Sequence, residues 1–62
     1  MQTNKEIVIS LLKLAIQQKN SELPINAYIK FMDLLPKEER DTLLLDNDIT
    51  KLIDTINRYH IA

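Results

Sequence analysis

The stretch Ile7–Ile16, read as IVISLLKLAI, limits what this chain can fold into more than any other feature. Eight of its ten residues are apolar, and only Ser10 and Lys13 interrupt the run. It is too apolar for an ordinary surface helix and falls short of the roughly 18–20 residues of a membrane span. Projected at about 100° per residue, Glu6, Ser10, Lys13 and Gln17 form a narrow polar stripe. The apolar residues spread over roughly 220°. Ile7, Leu11, Leu14 and Ala15 centre one side, Ile9, Leu12 and Ile16 lie on another, and Val8 falls between them. A helix packed on a single partner needs an apolar arc of about 100°. This helix has two sides to cover. The first is expected to face its own domain. The side of Ile9, Leu12 and Ile16 has no obvious partner in the chain.

The neighbouring sequence frames this helix. Thr3 followed by Glu6 makes a capping-box pattern. Lys19 suits the negative C-terminal end of a helix. Asn20 can take the left-handed conformation that Gly would otherwise supply. Met1–Asn4 is polar and expected to fray. Next, Pro24 biases Leu23 away from helix and fits the first turn of a second helix, PINAYIKFMDLL. Asn26, Lys30 and Asp33 form its polar stripe. Ile25, Ile29 and Met32 form one apolar side, and Ala27, Tyr28, Phe31, Leu34 and Leu35 the other. Pro36 breaks that helix and opens a third, with Glu38 and Glu39 in its first turn, where the helix dipole favours carboxylates. Asp46-Asn47-Asp48 is a break rich in N-cap residues. The last helix carries Ile49, Leu52, Ile53, Ile56 and His60 on one narrow stripe and is expected to cover the first two. The pattern predicts a single all-α domain over 1–62, built from three or four short helices at about 4–19, 24–35, 37–45 and 48–60.

Size sharpens the burial problem. A chain of 62 residues buries only about 60% of its unfolded surface and is marginal on its own. It has no Cys and a single His, so disulfides and thiolate metal sites are excluded and self-association is the remaining support. Each fully buried Leu or Ile contributes about 1.5–3 kcal/mol, so Ile9, Leu12 and Ile16 left in water would forfeit several kcal/mol. A homodimer is therefore expected. Its interface is placed on Ile9, Leu12, Lys13 and Ile16, with Tyr28, Phe31 and Leu35 as a second patch and a polar rim of Lys13, Gln17 and Lys30.

Chemistry-bearing signatures are sparse. The chain has no Gly, which argues against phosphate-cradling loops, dinucleotide-binding turns and nucleophile elbows. Asp46, Asp48 and Thr50 place oxygens as an EF-hand loop does at its first, third and fifth positions. Lys51 then stands where the sharp turn needs Gly, and Asn57 where a bidentate Glu is needed. Helix capping is the better reading. Glu38, Glu39 and Asp41 read as a solvated helix start rather than a catalytic pair. His60 lacks an orienting partner for general-base work. Tyr28, Phe31 and Tyr59 are expected in core or interface packing. No cofactor, metal or catalytic residue is assigned, and an enzyme is the least expected class.

Net charge is −1, which does not favour a strongly nucleic-acid-binding surface. Lys13, Lys19, Lys30 and Lys37 could form only a weak positive face if the first two helices pack side by side. Neither a signal peptide nor a membrane span is evident, so a cytoplasmic location is expected. Residues 33–45, DLLPKEERDTLLL, resemble the stretch that opens region 4 of bacterial sigma factors. The segment from Asp46 onward has no Gly turn and no basic recognition helix, so DNA reading does not carry over. In length the chain is similar to the plasmid-encoded Rop proteins, dimers of helical hairpins that bind RNA. No residue motif supports that likeness, and Pro24 and Pro36 would interrupt two long helices. Neither family is claimed. The leading expectation is a small protein–protein interaction module, a regulator, inhibitor or adaptor. The alternative is a small nucleic-acid-binding regulator of transcriptional, plasmid or phage type.

Overall fold

Four helices make up the fold in a computed structural model, which describes residues 2–19 and 21–61, with side chains described as far as Arg58. They are α1 (Asn4–Gln17), α2 (Glu22–Leu34), α3 (Lys37–Leu44) and α4 (Asn47–Ile61). The chain is all-helical, as its periodicity predicts, and no strand occurs among the described residues.

The helix ends follow local chemistry. Thr3 caps α1: its hydroxyl accepts from the Glu6 N–H at 3.2 Å, and the Glu6 carboxylate reaches back to the Thr3 N–H at 3.4 Å. The capping box expected at this start is therefore present. At the other end α1 stops at Gln17, two residues before the expected end. Lys19 turns left-handed at φ 55°, and its N–H donates to the Ile16 carbonyl at 3.1 Å. That bond is one of the two that close a Schellman-type end. The sequence favours Asn20 for the left-handed position, and Asn20 lies outside the described residues.

Helix α2 starts at Glu22, two residues before Pro24, so Leu23 is helical against its local bias. Pro24 is the third residue of that helix, where its missing N–H has no intrahelical acceptor to lose. Pro24 is also buried, so packing holds it there. Pro36 acts as expected: Leu35 is extended at ψ 147°, α2 ends, and α3 begins at Lys37. Asp46 caps α4, its Oδ1 accepting from the N–H groups of Asp48 at 2.9 Å and Ile49 at 3.2 Å.

Packing centres on α1. It lies against both α2 and α4, whereas α2 and α4 barely touch each other. Short connections make α1 and α2 antiparallel. Helix α2 thus returns the chain to the start of α1, and the brief α3 crosses that end, where the Asn4 amide donates to Glu39. Helix α4 advances parallel to α1. Lys5 pairs with Asp46 and Asp48 at their shared beginning. One turn on, Ile9 and Lys13 line a surface with Asp48, Lys51 and Leu52. Further on, Leu12 meets Ile53 and Ile56.

The buried core is Val8, Leu12 and Ala15 from α1, Met32 from α2, Leu43 from α3, and Ile49 and Ile56 from α4. This corrects the expectation for α1. The side of Ile9, Leu12 and Ile16 has a partner in the same chain, namely α4, and Leu12 is only 2% exposed. On the side expected to face the domain, Ala15 is fully buried but Leu14 is 41% exposed. The last helix thus serves α1 far more than α2.

Leu12→Ala is expected to lower unfolding free energy by about 2–5 kcal/mol, because it leaves a cavity among three helices. Leu34→Ala, at an 84% exposed position, is expected to change it by about 0.5 kcal/mol or less. Urea titrations of the two variants check the contrast, and equal losses would contradict the placement of Leu12.

Candidate functional site

Two apolar-floored grooves flank α4. The first lies between α2 and α4 with α1 as its floor, and it encloses about 190 Å³. Leu12 forms the bottom, Ile25, Tyr28 and Ile29 the α2 wall, and Ile53, Ile56 and Asn57 the α4 wall. It exists because α2 and α4 each grip α1 without closing on each other. Partial burial pushes the Tyr28 phenol above its ordinary range. The second groove, between α1 and α4, is lined by Ile9, Leu52, Lys13, Lys51 and Asp48. It is larger, at about 430 Å³, and three of these five lining residues are charged.

The residues expected at an interface separate into three groups. Leu12 belongs to the core and lies beneath the α2–α4 groove. Ile9, Ile16, Tyr28, Phe31 and Leu35 are half-buried and pack against that core. Lys13 is exposed on the α1–α4 groove. The grooves bring Tyr28 together with Leu12, and Ile9 together with Lys13. The most exposed large apolar side chains are others: Leu34 at 84%, Leu45 at 83% and Leu23 at 80%, followed by Ile29 at 48%. Sequence reasoning assigns Leu34 to an apolar side of α2 and Leu45 to the end of α3, without separating them from buried neighbours. Their placement at helix ends next to Pro36 and Asp46 is the available signal, since a terminal residue has fewer neighbours to cover it.

The Asp46–Thr50 segment serves in capping. Asp46 also accepts an ion pair from Lys5 at 3.0 Å, and Asp48 does so at 3.4 Å. Thr50 Oγ1 donates to the Asp46 carbonyl at 2.9 Å. Among the described residues, no group of three or more His, Cys, Asp and Glu is arranged to hold a metal. No helix among them is long and apolar enough to cross a membrane. The readings of Tyr59 and His60 fall outside the described side chains. Of the four lysines considered as a positive face, Lys37 pairs with Asp41 at 2.8 Å, which offsets its charge. No protein-family model, curated protein or solved structure matches this chain.

The Lys5 clamp is the one electrostatic tie between the beginnings of α1 and α4 among the described residues. The Lys5 ammonium beside Asp46 holds that carboxyl below its ordinary value of 3.8, helped by the N–H groups of Ile49 and Asp48. Lys5 is raised above 10.5, first by its bond to Asp46 and then by that to Asp48. A carboxylate whose folded pKa is depressed adds stability above its unfolded pKa and loses it as pH falls through the folded value. A lysine whose pKa is raised adds stability below its unfolded pKa and loses it as pH rises through the folded one. The urea midpoint is therefore expected to fall below pH ~4, and less steeply in Lys5→Met than in the wild type. Identical acid profiles for the two proteins would show that the clamp does not contribute in solution.

Proposed function

We propose that this chain is a non-enzymatic protein–protein interaction module, a small regulator, inhibitor or adaptor that also associates with itself through apolar helical surface. One observation carries the reading. Among the described residues six large aliphatic side chains are exposed, Leu14, Leu23, Ile29, Leu34, Leu44 and Leu45, against seven apolar side chains in the buried core. Single exposed leucines are normal on any protein. Leu23, Leu34 and Leu45 are each at least 80% exposed, apolar surface that burial against another protein would remove from water.

Self-association is assigned to the leucines that end α2 and α3. Leu34 is the last residue of α2, and Leu44 and Leu45 end α3. Their burial in a dimer would supply apolar area that a chain of 62 residues lacks internally. The half-buried Phe31 and Leu35 lie on the same stretch of α2 and its C-cap and would extend that surface. Lys13, exposed on the α1–α4 groove, belongs to the polar surroundings rather than to the contact.

Sedimentation across a concentration series tests this. The wild type is expected to rise above its 7.3 kDa monomer mass as concentration increases. The double variant Leu34→Asp, Leu45→Asp is expected to stay monomeric and folded, since neither side chain is in the core. A wild type that remains at monomer mass throughout removes self-association, and a double variant that still dimerises removes this surface as the contact.

A further inference from the structure

Helix α4 is held in the molecule by one neighbour and one short link. Its buried side chains, Ile49 and Ile56, enter the core beside Val8 and Leu12 of α1. It makes few contacts with α3 and barely touches α2. Two residues, Leu45 and Asp46, join it to α3. Short hinges of this kind are where identical chains exchange an end element.

The link is itself almost helical. Leu45 has right-handed helical angles, φ −89° and ψ −8°. Its N–H still donates to the Asp41 carbonyl, four residues back, at 3.2 Å. The pattern changes at Asp46, whose N–H donates to Leu43, three residues back, at 3.1 Å. From Lys37 to Ile61 the sequence holds neither Gly nor Pro, so no residue type obliges the helix to break here. The break is held by the Asp46 side chain, which caps α4 through the N–H groups of Asp48 and Ile49 and pairs with Lys5.

Helical register shows what straightening would gain. Leu45, Ile49, Leu52 and Ile56 follow one another at steps of four, three and four. In one continuous helix they fall within about 60° of each other, so Leu45 would lengthen the apolar stripe of α4 by a turn. In the closed chain the same Leu45 is 83% exposed.

We propose that two copies of this chain exchange α4. Helices α3 and α4 straighten into one helix about Leu45 and Asp46, and each α4 packs on α1 of the other copy. Leu12 is then covered by Ile53 and Ile56 of the second copy, the same side chains that meet it within one chain. The occupant of the vacated flank of α1 is therefore fixed by the closed structure. The two straightened links cross near the two-fold axis, where each Leu45 gains cover from the other copy. What the exchange gives up is the Asp46 cap in each chain. The inference rests on the reading of this chain as self-associating and gives that association a route.

Size-exclusion chromatography of the full-length chain over a concentration series, and isotope-filtered NMR on labelled and unlabelled chains refolded together, test the exchange. The wild type is expected to form a dimer with cross-copy contacts between Leu12 and Ile56. Asn47 is the first residue of α4, where Pro is well tolerated, but it would lie inside the straightened helix, where Pro is not. Asn47→Pro is therefore expected to keep the closed fold and lower the dimerisation constant at least about a hundredfold. Asp46→Ala, which removes the cap, is expected to raise it about tenfold or more. Unchanged dimerisation in a folded Asn47→Pro overturns the exchange. If that variant fails to fold, the cross-copy contacts decide alone. A dimer without them also overturns the exchange, and leaves self-association through the leucines that end α2 and α3 standing. A wild type that stays monomeric throughout removes both.

Discussion

Helix α1 must be covered from two directions, and every other element is placed to do so. Val8 and Ala15 are fully buried and Leu12 nearly so, which no single neighbouring helix could achieve. The antiparallel neighbour α2 arrives first in the chain and takes one flank. The other flank is taken by a helix running parallel to α1, which must begin at the same end as α1. Helix α2 has already brought the chain back to that end, and α3, only eight residues long, carries it across from the end of α2 to the start of α4. Its own contribution to the core is Leu43. The two prolines and the Asp46 cap are the local devices that let the chain turn where this geometry requires.

The shared beginning of α1 and α4 carries a cost that its side chains offset. Parallel helices place two positive dipole ends side by side. Carboxylates gather there: Glu6 in the first turn of α1, Asp46 at the cap and Asp48 in the first turn of α4. Lys5 then answers the excess negative charge by bridging Asp46 and Asp48. These groups are partly or largely exposed, so the cluster sets the register of the two helices more than it adds to stability.

Much of this fold is legible in the residues. Helix number, the Thr3–Glu6 capping box, the stop at Pro36 and the break before α4 come from rules that act within a few residues. The wide apolar arc of α1 also announces two partners. The identity of the second partner is not legible, because α4 reads as a one-sided helix that could cover either predecessor. Nothing in its periodicity distinguishes α1 from α2. The choice depends on the reach of α3 and on the Lys5 pairing across some forty residues, both long-range facts. For the same reason Leu12, which reads as surface, is core. Leu34 and Leu45 stand out as exposed only once the helix ends have been placed.

Because α2 and α4 meet almost solely through α1, the three long helices do not form a mutually braced triangle. Cooperative unfolding of such an arrangement passes through one shared member. Loss of α4 strips α1 of one flank yet removes almost no contact from α2, so the α1–α2 hairpin and α4 form separable units of local opening. Anything seated in the cleft between α2 and α4 would supply the missing third edge. It would act as a brace, tying the two units into one and raising the cooperativity of the whole chain.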